Sequence, residues 1–524
     1  MLRNGKQRLL SVLLTCLFVT ALTTCSFHHH LTVFAASHAK QVPKFVRVIQ
    51  TAQNTSDRLS PIAPLYFKKR NNKSTPSDPL TMSHVKKNKG GIQEDEPNIV
   101  LLNPNRLLQK IIGFGCAITE SASFVFSTMN EQMKQDILNL YWSPSGLNYT
   151  IGRIPMNSCD FALGTYSCDD TVNDFELKDF SIHRDKLYKL PMALRVVNTT
   201  ETFHGKPLKL FLSPWSPPAW MKTNHNMNGS GLPLGLINNT QVLKSWALYF
   251  SKYIDSYKRE GIDFWGLTIQ NEPEYAAPYE ACVYTAEYER DFIKHYLGPL
   301  MKSTHPDVNI MIYDHNRDHV HLWAQTIYSD QEAAKYVDGT AFHWYSDGTY
   351  EHLDLVHDMA PDKILLGTEA TQGPNVNYGD WSRGESYGFD IINDLQHYAQ
   401  GWTDWNCLLD AIGGPTHMNN WCDALILANN KTQSLYLQPM YYYMGHFSKF
   451  LIQDSRRVSL VQSSSDLLVT SFLTPENNIV VVAMNNKDNP LKFQLLDMNV
   501  GLEYYVDVEL PPHSIRTMIY PHEK

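Results

Sequence analysis

Eight short apolar runs alternate with longer amphipathic stretches through the middle of this chain, and few folds accommodate that rhythm. The runs lie near residues 111–119, 148–156, 208–214, 264–271, 308–314, 337–345, 363–369 and 406–412. Helical stretches near 129–141, 183–197, 241–259, 285–301, 320–336, 350–358 and 385–400 fill the intervals. From Val242 to Arg259, for example, apolar residues recur at i, i+3, i+4 and i+7, the spacing of one helix face. Strand–helix–strand units cross over right-handedly and make a parallel sheet. Eight of them predict a closed (β/α)8 barrel over residues 106–430.

Beyond about residue 430 the period shortens to two, with runs at Arg457–Val461, Leu467–Phe472, Ile479–Met484 and Arg516–Ile519 separated by turn residues. This predicts an accessory antiparallel β-sandwich at 431–524. Strand-like segments in 45–105 are expected to complete it from the other end of the chain. A stretch rich in Lys, Asn, Ser and Pro at 63–97 reads as an exposed insertion.

Two of the barrel runs end in glutamate. Phe264–Ile269 leads into Gln270-Asn271-Glu272-Pro273, and Ile364–Leu366 leads into Gly367-Thr368-Glu369. A carboxylate at the mouth of a buried strand is costly unless it is paired, hydrogen-bonded or used. By itself Asn271-Glu272-Pro273 is a helix-start signal. Counting strands places Glu272 after the fourth and Glu369 after the seventh, so the two face one another across the barrel mouth, where catalytic groups project. Paired carboxyls are what glycosidic cleavage requires: about 5–5.5 Å apart for retention, about 6.5–9.5 Å for inversion. On this reading Glu369 attacks the anomeric carbon, and its charge raises the pKa of Glu272 so that Glu272 begins protonated. Asn271 is placed to bond the sugar 2-hydroxyl.

Other candidates share the rim. Arg153 and Asp160 follow strand two, Trp215 follows strand three, and His343, Trp344 and Tyr345 close strand six. Trp402 and Trp405 precede the expected strand eight, and Asn420 follows it. Singly, each suits packing or capping; together on one rim they read as a site. Asp314-His315-Asn316-Arg317-Asp318-His319-Val320-His321 has metal-ligand residue types, but its spacing fits no tight site and reads as a polar rim loop. No cofactor or metal is expected.

A net charge of −8 without a basic cluster argues against a nucleic-acid partner. Aromatics at 12% suit stacking on sugar faces, though a large aromatic core explains them as well. Lys6 and Arg8 precede an uncharged stretch from Leu9 to about Phe27, with Ala35-Ala36-Ser37 beyond, which predicts a cleaved signal peptide at 1–36. Asn-x-Ser/Thr sequons begin at Asn54, Asn72, Asn148, Asn198, Asn228, Asn238 and Asn430, as in a glycosylated lysosomal or secreted protein. Six cysteines lie outside the targeting segment. Cys159–Cys168 or Cys407–Cys422 are the candidate disulfides, free buried thiols the alternative.

With these residues in view the chain resembles glycoside hydrolase family 30 and, within it, the glucosylceramidases. The resemblance rests on GFGCAITESAS (113–123), RIPMNSCDFALGTYSCDD (153–170), SPWSPPAWMKTN (213–224), TIQNEPE (268–274), FHWY (342–345), GTEA (367–370), GWTDWN (401–406) and QPMYYYMGHFSKFL (438–451). It implies a retaining β-glucosidase with Glu272 as acid/base and Glu369 as nucleophile. Glucose contacts are implied for Arg153, Asp160, Trp215, Asn271, Trp405 and Asn420, with His343 and Tyr345 supporting the nucleophile. It also implies a glycosphingolipid substrate at a membrane surface, with a saposin-like activator protein and anionic lipid. A secreted β-1,6-glucanase or β-xylosidase is the alternative within the family. A sugar-binding barrel without catalysis would have lost one of the glutamates. Two departures stand out: the loop Pro273–Cys282 is short, and Glu120 replaces the Asp common among relatives.

Overall fold

The computed structural model describes residues 42–70 and 97–523. The predicted signal peptide and most of the predicted insertion lie outside these residues. The eight barrel strands are Gly113–Ala117, Ile151–Met156, Lys209–Pro214, Gly266–Thr268, Asn309–Asn316, Gly339–His343, Ile364–Glu369 and Gly401–Asn406. All pair in parallel with their neighbours, and the eighth closes on the first.

The first seven fall where the apolar runs predict; the eighth does not. It lies at Gly401–Asn406, ahead of the expected 406–412, which instead contributes only Leu409–Asp410 to a small three-stranded sheet. Polar residues in GWTDWN disguise a strand, and closure explains it. A Cβ at Gly401 would lie 2.3 Å from the Gly113 carbonyl oxygen, so only glycine lets the last strand approach the first. The helices follow amphipathic logic. Thr240–Arg259 is capped by Asn239, whose side chain accepts from Gln241 N. It buries Val242, Trp246, Tyr249, Phe250, Tyr253 and Tyr257 against the barrel, roughly 1.5–3 kcal/mol for each large apolar side chain. Glu120 opens the helix Glu120–Thr128 fully buried, 2.7 Å from Arg184 Nε and 2.8 Å from Leu163 N, so its charge is satisfied.

Three barrel strands carry bulges at their C-terminal ends. Ala341 and Phe342 pair with Tyr313 and His315, stepping over Asp314. Phe342 and His343 pair with Gly367 and Glu369, stepping over Thr368. Asp404 and Asn406 pair with Cys116 and Ala117, stepping over Trp405. Each inserted residue changes which side chains point into the barrel mouth.

The second domain is a ten-stranded sheet folded around its own core of Val48, Val100, Leu102, Val469, Val481, Phe493, Val508 and Met518. Val46–Ala52 pairs with Ser514–Pro521, joining the two ends of the described chain. Its pairing departs once from the antiparallel expectation: Leu491–Asp497 runs parallel to Asn98–Lys110. Ser60–Leu65 and Lys68–Lys69 are strands of this sheet, so residues 63–70 are not a loose insertion. The run MYYYMGHF, within the region expected to be all strand, forms the helix Pro439–Ser448 between the barrel helix Trp381–Gln396 and the sandwich. Among the described residues no helix is long and apolar enough to cross a membrane.

The expected disulfides are replaced by one between Cys116 and Cys407, with Cα atoms 5.1 Å apart. Cys159, Cys168 and Cys422 are free. Closure of the barrel brings the ends of strands one and eight together, which proximity in sequence does not reveal. Replacing both Cys116 and Cys407 with Ser is expected to lower the unfolding free energy by about 2–4 kcal/mol, measured by urea denaturation. The same change at Cys159 and Cys168 should break no cross-link.

His446 is buried between Thr517 Oγ1 at 2.8 Å and Thr51 Oγ1 at 2.9 Å, and burial pushes it down to about 3. A depressed histidine stabilises fully above its unfolded value near 6.5 and loses that contribution as pH falls toward 3. Between pH 7 and pH 5 the loss is about 2 kcal/mol. Stability of His446→Asn should fall less steeply over that interval; equal slopes in the two proteins would contradict this.

Candidate active site

The barrel mouth is organised around Arg153, wholly buried on strand two. Its Nη1 donates to Glu369 Oε2, its Nη2 to Asp314 Oδ2 at 2.8 Å and Asn271 Oδ1 at 2.9 Å, and its Nε to Ser213 Oγ at 3.1 Å. Buried this deeply, Arg153 is absent from the lining of the cavity that Glu272 and Glu369 border, and it holds the groups bonded to it in place. Asp314 accepts as well from Thr268 and Thr368 hydroxyls, each at 2.6 Å, and from His343 Nε2 at 3.1 Å. Arg153 and His343 outweigh burial and hold the Asp314 carboxyl well below the usual range.

Glu369 is the last residue of strand seven, and its Oε1 accepts from Tyr345 OH at 2.9 Å. Glu272 lies beyond strand four in the left-handed region, at φ 46°, with its N–H donating to the Asp314 carbonyl at 2.9 Å. A glutamate held at positive φ is strained by about 1–2 kcal/mol, and the clamp keeps it there. Glu272 Oε1 lies 3.3 Å from His343 Nδ1. His343, expected beside the nucleophile candidate, thus bonds the acid/base candidate.

Burial disfavours charge on both glutamates. At Glu272 the His343 imidazolium more than compensates and holds the carboxyl below its ordinary value. At Glu369 burial and the charge on Glu272 prevail over His343 and Arg153 and push it up. His343, against burial, is pushed up to about 9 by the Glu369 charge and by its bonds to Asp314 and Glu272. The expected rise at Glu272 is therefore reversed: its contact with His343 holds the carboxyl below its ordinary value.

Glu272 and Glu369 border a cavity of about 530 Å³, lined also by Asp160, Tyr279, Tyr345, Trp405 and Asn420. Asn420 Nδ2 donates to Asp160 Oδ2 at 2.7 Å. Burial and the Glu369 charge push Asp160 up to about 8, which favours its protonated, hydrogen-bond-donating form. Trp405 stacks on Trp215 at 4.9 Å, and Arg153 sits 4.7 Å over the Trp215 ring, placing Trp215 behind the wall. Trp402 is elsewhere, bonded to Asp390 at 3.0 Å on the helix side of the barrel. Trp344 packs against Trp402 and Tyr387. Asp314 is a member of the constellation that sequence reasoning assigned to a loop. It ends the run NIMIYD, the same signal that singled out the two glutamates.

A groove of about 1320 Å³ adjoins the cavity through Tyr345, Thr371, Asn420 and Cys422, and continues past Asp347, Glu385, Phe389, Trp421 and Asn486. Among the described residues no Leu, Ile, Val or Met lines it.

Comparison with known proteins follows the same two-domain division. Residues 111–451 match the glycosyl hydrolase family 30 TIM-barrel domain, and residues 454–518 match the family 30 beta sandwich domain. The chain is 39% identical over 439 residues to putative glucosylceramidase 3 of Caenorhabditis elegans, covering 81% of this chain and 82% of that protein. To the lysosomal acid glucosylceramidase of Mus musculus it is 35% identical over 436 residues, 80% and 83% of the two. The crystal structure of SrfJ from Salmonella typhimurium superposes with a TM-score of 0.80 at 30% identity, covering 91% of this chain and all of that one. Barrel, sandwich and relatives agree: the chain is a glycoside hydrolase and belongs to glycosyl hydrolase family 30.

Proposed function

We propose that the protein hydrolyses the β-glucosyl bond of glucosylceramide, with retention, to glucose and ceramide. One observation carries the assignment of roles: the two cavity carboxylates have different partners, a guanidinium and a phenol at Glu369, an imidazole at Glu272. In the first step Glu369 attacks the anomeric carbon as the bond to the ceramide oxygen breaks, and Glu272 gives that oxygen a proton. Arg153 and Tyr345 stabilise the bare Glu369 carboxylate for the attack. His343 supplies the proton along its 3.3 Å contact with Glu272. In the second step Glu272 takes a proton from water, which displaces Glu369 and releases glucose. With Oδ1 engaged by Arg153, Asn271 offers its Nδ2 to the 2-hydroxyl, and Asp160 with Asn420 takes hydroxyls across the ring.

The worm and mouse relatives, named as glucosylceramidases, support ceramide as the leaving group. The substrate would be met at a membrane surface, with a saposin-like activator and anionic lipid. The N-terminal apolar segment, exposed sequons at Asn54, Asn198, Asn238 and Asn430, and the lysosomal mouse relative support a lysosomal or secreted location. The groove, lined among the described residues by no Leu, Ile, Val or Met, favours a second reading, cleavage of a β-linked oligosaccharide whose further sugars lie along Trp421 and Phe389. Rates on glucosylceramide in mixed vesicles and on β-1,6-linked gluco-oligosaccharides decide between the two.

A mechanism-based β-glucoside inactivator should label the peptide containing Gly367-Thr368-Glu369-Ala370, and Glu369→Gln should abolish both turnover and labelling. Label on another peptide would reject Glu369 as nucleophile. Glu272→Gln should slow cleavage of glucosylceramide by about 10²–10⁴-fold. It should slow formation of the glucosyl-enzyme far less for an aryl glucoside whose leaving group needs no proton. Equal losses on the two substrates would remove Glu272 from the role of acid.

A further inference from the structure

The imidazole of His315 lines the cavity and has no task in the hydrolysis proposed above. His315 follows the bulge on strand five, and its Nδ1 is buried with no hydrogen-bond partner among the described residues. Buried polar atoms without partners are rare enough to need a reason. That nitrogen lies 3.9 Å from Glu272 Oε1, and His343 Nδ1 lies 3.3 Å from the same oxygen. One ligand atom from each of Glu272, His315 and His343 falls within 4.8 Å of the other two.

The donor set selects the ligand. Two imidazoles and a carboxylate suit borderline transition metals, and zinc in particular uses His₂Glu sets with a fourth position open. Calcium and magnesium prefer oxygen-only shells. Zinc bonds of about 2.0–2.2 Å in tetrahedral geometry place ligand atoms roughly 3.3–3.5 Å apart, so the triangle needs only small rotamer shifts. His343 already has the outer partner typical of such ligands: its Nε2 donates to Asp314 Oδ1 at 3.1 Å, leaving Nδ1 of the neutral ring as the lone-pair donor. The rest of the 314–321 run does not contribute. His319 turns to Glu274 at 3.2 Å, and His321 packs on His352 with ring centroids 4.0 Å apart. The ligands gather from three different strand ends, which is why spacing along the chain suggested no tight site.

We propose that Glu272, His315 and His343 form a site for a divalent transition metal, best fitted by Zn²⁺, whose binding inhibits the hydrolase by taking the Glu272 carboxylate as a ligand. The inhibition rests on the reading of Glu272 as acid/base. Metal and proton compete for the same oxygen and the same Nδ1, so a ligated Glu272 can neither protonate the leaving oxygen nor activate water. The open fourth position takes a water or a sugar hydroxyl.

The test is calorimetric titration of the EDTA-treated full chain with ZnCl₂, alongside β-glucosidase rates over the same concentrations. Each variant is scored against its own metal-free rate. Expected are one zinc per chain at micromolar concentration, loss of activity in step with occupancy, and recovery with EDTA. Mg²⁺ and Ca²⁺ should have no such effect. His315→Asn should raise both the dissociation constant and the inhibitory concentration about tenfold or more, because one ligand is lost. Cys422→Ser, which removes the thiol in the same cavity, should respond like the wild type. The proposal is overturned if zinc does not bind, if His315→Asn binds it unchanged, or if Cys422→Ser is the variant that loses it. Calorimetry reads the site without substrate. A chain that binds zinc through His315 yet cleaves no glucoside would therefore refute the proposed function and not the metal site.

Discussion

The buried guanidinium of Arg153 is the interaction on which the barrel mouth depends. It draws together an aspartate from strand five, a glutamate from strand seven, an asparagine after strand four and a serine from strand three. Carboxylates so deep are tolerated only when paired and hydrogen-bonded, and stripping one partner from such a group costs about 3–5 kcal/mol. Asp314 shows the degree of satisfaction required, with Arg153, His343, Thr268 and Thr368 all donating to it. Charge balance thus fixes the geometry: Arg153 and His343 are the cations, and the three carboxylates stand where those cations can reach them.

Bulges convert that balance into a cavity. Regular alternation along a parallel strand would send alternate residues into the barrel and out to the helices. One extra residue on each of strands five, seven and eight shifts Asp314, Thr368 and Trp405 relative to their neighbours. Asp314 then joins the buried network, His315 comes out beside Glu272, and Trp405 forms the wall stacked on Trp215. The stacked indoles supply a flat apolar side, while Asp160 and Asn420 supply the hydrogen bonds that orient a polyol.

What the sequence discloses and what it hides follow from the range of the interactions involved. Seven strands and most helices were legible because hydrophobic period is local. Glu272 and Glu369 were legible because a carboxylate ending an apolar run is locally anomalous; Asp314 carries the same anomaly but was lost among neighbouring histidines. The strand at Gly401–Asn406 was not legible, since its polar residues become acceptable only through contacts made by closure. The Cys116–Cys407 pairing, the burial of Arg153 and the helix at Pro439–Ser448 likewise depend on partners far away in sequence. Asp160, Asn420, Tyr345 and Trp405 line one cavity, while Asn271, bonded to Arg153, and Trp215, stacked behind Trp405, lie outside its lining.

The sandwich is sewn from both ends of the described chain, with Val46–Ala52 seated against Ser514–Pro521. During synthesis the first of these strands emerges hundreds of residues before its partner. The barrel, whose units follow one another along the chain, can condense while that strand still lacks its neighbour. One edge of Val46–Ala52 is bonded to the nearby Ser60–Leu65, but the other, left open, is a template for aggregation as long as it waits. Maturation therefore turns on the strand Ser514–Pro521, and a chain cut before it would keep every group of the barrel mouth yet leave that edge of Val46–Ala52 open to strangers.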